Sequence, residues 1–277
     1  MAEKQELLDV HVAEKSKLYK WYLNYERSIL GGGAVLLFLT AWELTTQTGM
    51  IKPIFISSPT AIVKAAYALF ASGEIYQDLY VSGTEFVVGF ALAILFGIPL
   101  GLLAGWYRRF YFVIDPFISA LYATPRIALL PLIIIWLGIG IWSKVGIVFL
   151  GAFFPICVNS LAGVRTVDEE LIKAARSFGA GDMRIFRTVV LPSSVPFVLT
   201  GLRLGVGRGL VGIVAGELYA ATAGIGHLIN VAGATFQTAK VFVGIIVIAA
   251  FGMFFVEILT RLERKFDKWR PQVGSAI

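Results

Sequence analysis

A succession of apolar runs constrains this chain more than any other feature. A helix that crosses a bilayer needs ~20 predominantly apolar residues. Stretches 29–42, 86–106, 145–164 and 241–259 approach or reach that length, cut short mainly by charged residues at their ends. In hydrocarbon every backbone polar group must bond within its own segment, so such runs form helices rather than open strands. We read six spans, at 28–46, 84–106, 112–138, 143–164, 194–218 and 240–261. The third carries Pro116, Pro125 and Pro131 and is expected to be broken or partly interfacial, because proline removes a helical donor and clashes with the preceding turn. The fold class is therefore all-α, a polytopic membrane helix bundle. A hydrophobic content of 57%, against ~45–50% in soluble domains, supplies apolar surface for lipid to cover.

Charge tests the count. With the N-terminus in the cytoplasm, seventeen of the 24 Lys and Arg fall on the cytoplasmic side, four (Lys52, Lys64, Lys144, Lys240) outside and three (Arg126, Arg203, Arg208) within spans. Basic loops on the inner side are what orients a membrane chain. The chain thus divides into a cytoplasmic tail at 1–27, a transmembrane region at 28–262 with a cytoplasmic loop at 165–192, and a cytoplasmic tail at 263–277. The net charge of +6 reflects this orientation, and no nucleic-acid partner is expected. The first run follows a polar, mixed-charge stretch without a small-residue cleavage pattern, so it is expected to stay as an anchor. Cys157, inside an apolar run, reads as a small core residue.

The outer stretch 47–83 is expected to hold a short amphipathic helix. Ser58-Pro59 is an N-cap followed by proline at the first helical position. Ile62, Ala65, Ala66, Leu69 and Phe70 recur at helical spacing, and Ser72-Gly73 ends the run. Small residues recur every fourth position at Gly89, Ala93, Gly97, Gly101 and Gly105, and again at Gly201, Gly205 and Gly209, with Gly212 and Gly216 as a further pair. Such stripes let helix backbones approach closely in lipid; fixed packing and a moving seam both fit them.

Charged residues inside spans are costly and default to functional candidates. Arg126, Arg203, Arg208, Glu217 and Glu85 are the candidates for a translocation path, and three arginines point to an anionic solute. The competing reading is that Arg203 and Arg208 snorkel, or pair with Glu85, Asp115 or Glu217. Glu257 and Arg261, four apart, read as a helix ion pair. No enzyme is expected. His11 and His227 are the only histidines, and no His-Glu-x-x-His, nucleophile elbow, carboxylate pair or metal-ligand set appears.

The most informative segment is the loop 165–192. Thr166 with Glu169 three residues on matches a capping box. Leu171, Ala174, Ala175 and Phe178 form one apolar face, Gly179 suits the C-cap, and Gly181-Asp182 restarts a second short helix before Leu191-Pro192 leads into the next span. An apolar stripe at the membrane surface either rests on lipid headgroups or docks into a soluble protein.

The same loop resembles the EAA loop of permease subunits of binding-protein-dependent ABC importers. That pattern runs Glu-Ala-Ala, three residues, Gly, nine residues, a branched apolar residue, one residue, Leu-Pro. Here Lys173-Ala174-Ala175, Gly179, Val189 and Leu191-Pro192 stand at that spacing. Lys173 replaces the usual glutamate, which puts a glutamate contact in doubt; Glu170, one turn earlier, is the candidate substitute. The stretch from Ala123 through Arg126 and Pro131 to Gly138, and that from Gly201 through Arg203 and Arg208 to Leu218, are similar to the nitrate, sulfonate and taurine branch.

The resemblance implies a type I importer permease fold of about six transmembrane helices in a bacterial inner membrane, both termini cytoplasmic. It implies ATP-binding subunits gripping Glu170, Lys173, Ala174, Ala175, Gly179, Leu191 and Pro192, with a coupling helix near 168–178. It also implies an external solute-binding protein and a second permease copy. ATP and Mg would be bound by the partner, since this chain lacks Gly-x-x-x-x-Gly-Lys-Ser/Thr. The alternative is a secondary transporter or channel that needs no ATPase.

Overall fold

The structure is a computed structural model that describes residues 2–266, with side chains from 25 to 264. The side chain of His11, the basic side chains before residue 25 and the tail at 267–277 lie outside the described residues. The chain divides into two compact units, residues 1–65 and 66–277.

In the first unit, α1 (Ala2–Gln47) runs unbroken through the expected tail boundary, and its Tyr25–Gln47 portion is apolar enough to cross a membrane. After α2 (Pro53–Ile56), α3 (Pro59–Ser72) begins as expected: Ser58 Oγ accepts from the Ala61 N–H at 3.2 Å. The connection folds back onto the end of α1. Glu43 accepts from the Thr60 N–H at 3.0 Å and the Thr60 hydroxyl at 2.6 Å, and Trp42 Nε1 donates to the Ser57 carbonyl at 3.0 Å.

The second unit contains α4 (Glu74–Trp106), α5 (Arg108–Ala123), α6 (Leu130–Leu137) and α7 (Ile141–Arg165). These are followed by α8 (Glu169–Ser177), α9 (Asp182–Ile185), α10 (Leu191–Ala220), α11 (Ile225–Ala234) and α12 (Thr238–Phe266). Helix α7 is the central post, with α4 on one side and α10 on the other. Both glycine stripes face it. A β-carbon at Gly89 would stand 2.7 Å from the Val145 carbonyl oxygen, and one at Gly212 would stand 3.1 Å from Ile147 Cγ2. The core fills the remaining space with aromatics: Phe86 stacks on Phe90 at 5.4 Å and meets Phe251 and Phe255 edge-on or tilted at 5.3 and 5.2 Å. Cys157 is fully buried in α7.

The third expected span is broken. Helix α5 and the segment Arg126–Leu137 meet at 92° across Thr124-Pro125, where the chain turns extended before a 3₁₀ turn at Arg126–Leu129. With that bent pair counted as one span, the described residues hold six stretches long and apolar enough to cross a membrane.

Several boundaries differ from expectation. The second span begins at Glu74 rather than 84. The fifth is one helix, Asp182–Ala220, 39 residues long, so the second short helix of the 165–192 loop is its first turn and no break precedes Leu191-Pro192. Pro192 cannot donate to the Thr188 carbonyl; the ladder absorbs this by widening into a π turn at Phe186–Val190. The stretch after the fifth span, expected to be loop, contains α11, too short and glycine-rich to register as an apolar run.

Lys144, expected outside among the orienting charges, is buried at 4% exposure. Its ammonium donates to the Ile139 carbonyl, to that of Gly140 at 3.2 Å and to that of Ala220 at 2.5 Å. It thereby caps the C-terminal end of α10, where carbonyls lack partners and the helix dipole favours a cation.

Candidate functional site

Two regions concentrate the candidate residues: the helical loop after α7 and a cavity beside the 92° break. In the loop, α8 is capped at both ends. The N-cap is Asp168, whose Oδ1 accepts from the Glu170 N–H at 2.8 Å; the expected Thr166–Glu169 capping box does not form. Thr166 instead ends α7 and bonds back to Ala162 and Gly163. An acidic side chain is favoured at the positive helix end, and Asp168 sits one residue before the Glu169–Glu170 first turn. At the other end Gly179 takes φ +76°. The Ala180 N–H reaches the Ala175 carbonyl at 3.1 Å and the Gly179 N–H the Arg176 carbonyl at 2.9 Å, the paired closure that favours glycine.

The apolar face of α8 is split between two environments. Ile172 and Ala175 pack with Val167, Ile185 and Val190 in a cluster that also takes in Leu102 and Val164, fastening α8 to the ends of α4, α7 and the long fifth helix. Leu171 and Phe178 point away, and Phe178 is 92% exposed. Lys173 pairs loosely with Glu169 at 3.6 Å, both well exposed, a contact worth little on its own. Ala174 and Glu170 are exposed, while Leu191 and Pro192 lie past the π turn at the start of α10.

The second region is a cavity of about 310 Å³. Tyr122, Thr124 and Arg126 reach it from the break in the third span, and Arg208 from α10; Ile127, Ile147 and Val211 supply apolar wall. The Arg126 guanidinium stacks over Tyr122 at 5.2 Å and Phe154 at 5.7 Å and leans on the Gly151 carbonyl at 3.5 Å. A β-carbon at Gly151 would stand 2.8 Å from the Arg208 carbonyl oxygen, so the missing side chain lets α10 close onto α7 at the residue that carries the second arginine.

The other three charged candidates lie elsewhere. Arg203 pairs with Glu263, not with Glu85, Asp115 or Glu217; an acid 60 residues away on another span gives no local signal. Glu217, 1% exposed, accepts from the Ser82 hydroxyl and from the Gly226 N–H, each at 2.5 Å. Ser82 in turn accepts from the Ile225 N–H at 2.8 Å, and Asp78 from the Gly224 N–H at 2.7 Å. This staple holds the chain between α10 and α11 against α4. Glu85 is buried, its Oε2 without a hydrogen-bond partner among the described residues. Asp78 and Ser82 were missed: they lie in the polar first turns of α4, among Glu74, Gln77, Thr84 and Glu85, where two more polar residues give no distinct signal. Glu257 and Arg261 pair at 2.7 Å as expected.

Residues 97–268 match the family model described as "Binding-protein-dependent transport system inner membrane component". The chain is 34% identical over 274 residues to the taurine transport system permease protein TauC of Escherichia coli (strain K12), covering 96% of this chain and all of that one. It is likewise 34% identical to the putative aliphatic sulfonates transport permease protein SsuC of the same organism, over 91% of this chain and 94% of the relative. Among solved structures, a chain of the MetNI methionine ABC transporter in an inward-facing form superposes with a TM-score of 0.62 at 18% identity, covering 69% of this chain and 95% of that one. At that identity the likeness speaks for the fold alone.

Proposed function

Because the chain belongs to the family of binding-protein-dependent transport system inner membrane components, in its taurine and sulfonate branch of ABC importer permeases with the type I fold, we propose that it forms the path for a small sulfonate-like anion and is driven by a separate ATPase. ATP and Mg belong to that partner, and this chain carries out no chemistry. An external solute-binding protein delivers the solute, and a second copy of the chain completes the path. Both termini and the α8 loop face the cytoplasm, in keeping with the distribution of Lys and Arg. Arg126 and Arg208 line the path, whereas Arg203 and Glu217 hold helices together.

One observation carries this reading: α8 is a preformed, doubly capped helix that presents Phe178 almost wholly to solvent while its opposite face is fastened to three spans. A large aromatic left out in this way is the kind of anchor that fills a partner's pocket. The contact surface would comprise Glu170, Lys173, Ala174 and Phe178. Ala175, Gly179, Leu191 and Pro192 act by shaping and holding the loop, since Ala175 already packs within its own chain.

The test is co-purification of the full chain with its nucleotide-binding subunit, comparing wild type with Phe178→Asp. Losing an interface anchor costs ~2 kcal/mol or more, so the ATPase is expected to be lost from the variant while the permease itself folds normally. A chain that purifies without an ATPase and still moves solute in liposomes would make the secondary-transporter reading correct instead.

A further inference from the structure

We propose that Arg126 and Arg208 form one oxyanion subsite, complete within a single chain, for a solute that joins a singly charged oxyanion head to a short apolar tail. The inference rests on the permease reading and narrows it: of the five charged candidates inside spans, only these two share a cavity. Arg203 has Glu263, and Glu217 is held by Ser82 and Gly226. Among the described residues no carboxylate lines the cavity, so the two guanidiniums share it as like charges that repel. In a poorly screened site that repulsion is costly; an anion between them removes it.

Geometry supports the head group. The Tyr122 and Phe154 rings hold the Arg126 guanidinium through cation–π contacts, and a guanidinium binds oxyanions through its fork of N–H donors. Gly151 sets the register of the pair, since its carbonyl meets Arg126 and its bare α-carbon lets the Arg208 backbone approach. The wall of Ile127, Ile147 and Val211 offers nothing to a fully solvated inorganic ion but suits a few methylenes.

The experiment titrates the purified full chain with ethanesulfonate at constant ionic strength and follows the thermal unfolding midpoint. Saturable stabilisation is expected, with none from uncharged dimethyl sulfone and a weaker response to sulfate. Arg126→Gln and Arg208→Gln should each raise the half-saturating concentration roughly tenfold or more, as expected for loss of a charge-assisted contact. Arg208→Lys, which keeps the charge and loses the fork, should fall between. Arg108→Gln, outside the cavity, should behave as wild type. An unchanged half-saturation in Arg208→Gln, or an equal effect of dimethyl sulfone, would overturn the subsite; an equal effect of sulfate would overturn the apolar tail. The two readings fail separately. A wild-type chain that brings down an ATPase but ignores ethanesulfonate refutes the subsite alone, and one that binds ethanesulfonate without any ATPase refutes the coupling alone.

Discussion

Replacing Gly89 by alanine tests whether the α4–α7 seam is a backbone contact. The added β-carbon would stand 2.7 Å from the Val145 carbonyl oxygen and 2.7 Å from Val148 Cβ, far inside the ~3.5–4.0 Å at which carbon contacts are most favourable. Neither neighbour can swing aside: one is backbone, and the other is the first carbon of a fully buried, β-branched side chain. The helices must part locally, and over-packing of this kind costs ~1–3 kcal/mol. Helix propensity returns ~1 kcal/mol in going from glycine to alanine. Gly83, on the same helix, provides the control, because nothing lies within 4 Å of its would-be β-carbon and Gly83→Ala keeps only the propensity gain. The two variants should therefore differ by roughly 1–3 kcal/mol, with Gly83→Ala the more stable. Reversible unfolding in mixed micelles, titrated with denaturing detergent and followed by circular dichroism, measures the difference. If Gly89→Ala proves as stable as Gly83→Ala, the stripe does not exist for backbone approach and the argument fails.

Two further outcomes follow from the buried polar contacts. Glu217→Leu removes both accepting oxygens, so the Ser82 hydroxyl and the Gly226 N–H lose their acceptor; the cost is about 1–3 kcal/mol or more, read as a lower unfolding midpoint with helix content unchanged. Arg203→Leu breaks the pair with Glu263, which is 9% exposed, whereas the double variant Arg203→Leu with Glu263→Leu removes both charges. The double variant should therefore be the more stable of the two, and a double variant less stable than the single would show that the pair is not what holds α10 to α12.

The apolar runs, the proline break and the loop spacing were legible because each is a local pattern with one physical meaning. A span must be apolar, and Thr124-Pro125 cannot continue a helix. What escaped is what the third dimension decides. Thr166 and Asp168 are both good N-cap residues, and only the end of α7 determines that Thr166 is already engaged there. Lys144 looks like any orienting lysine until the distant Ala220 carbonyl joins those of nearby Ile139 and Gly140 around it. The stripe of Leu171, Ala174, Ala175 and Phe178 reads as one face, yet the neighbouring Ile172, absent from that pattern, joins Ala175 in turning half of α8 inward. Arg203 and Glu263 lie on different spans, so no sequence window contains both. Glycine spacing showed that helices touch, but the specific role of Gly151 depends on which arginines happen to lie beside it.

The continuous helix Asp182–Ala220 has a kinematic consequence. At 39 residues and 1.5 Å per residue it is a rod of about 58 Å. One end is seated in the α8 cluster, Arg208 rides about two-thirds of the way along, and Glu217 is tied down close to the other end. Arg126 is not on the rod; it belongs to the segment beyond the 92° bend. A rod held at its far end can only pivot, so any displacement of the loop changes the separation of the two guanidiniums, and anything that draws them together must in turn swing the loop. The distance between Arg126 and Arg208 is therefore a gauge of the attitude of α8, and probes placed at 126 and 208 would read the pivot directly.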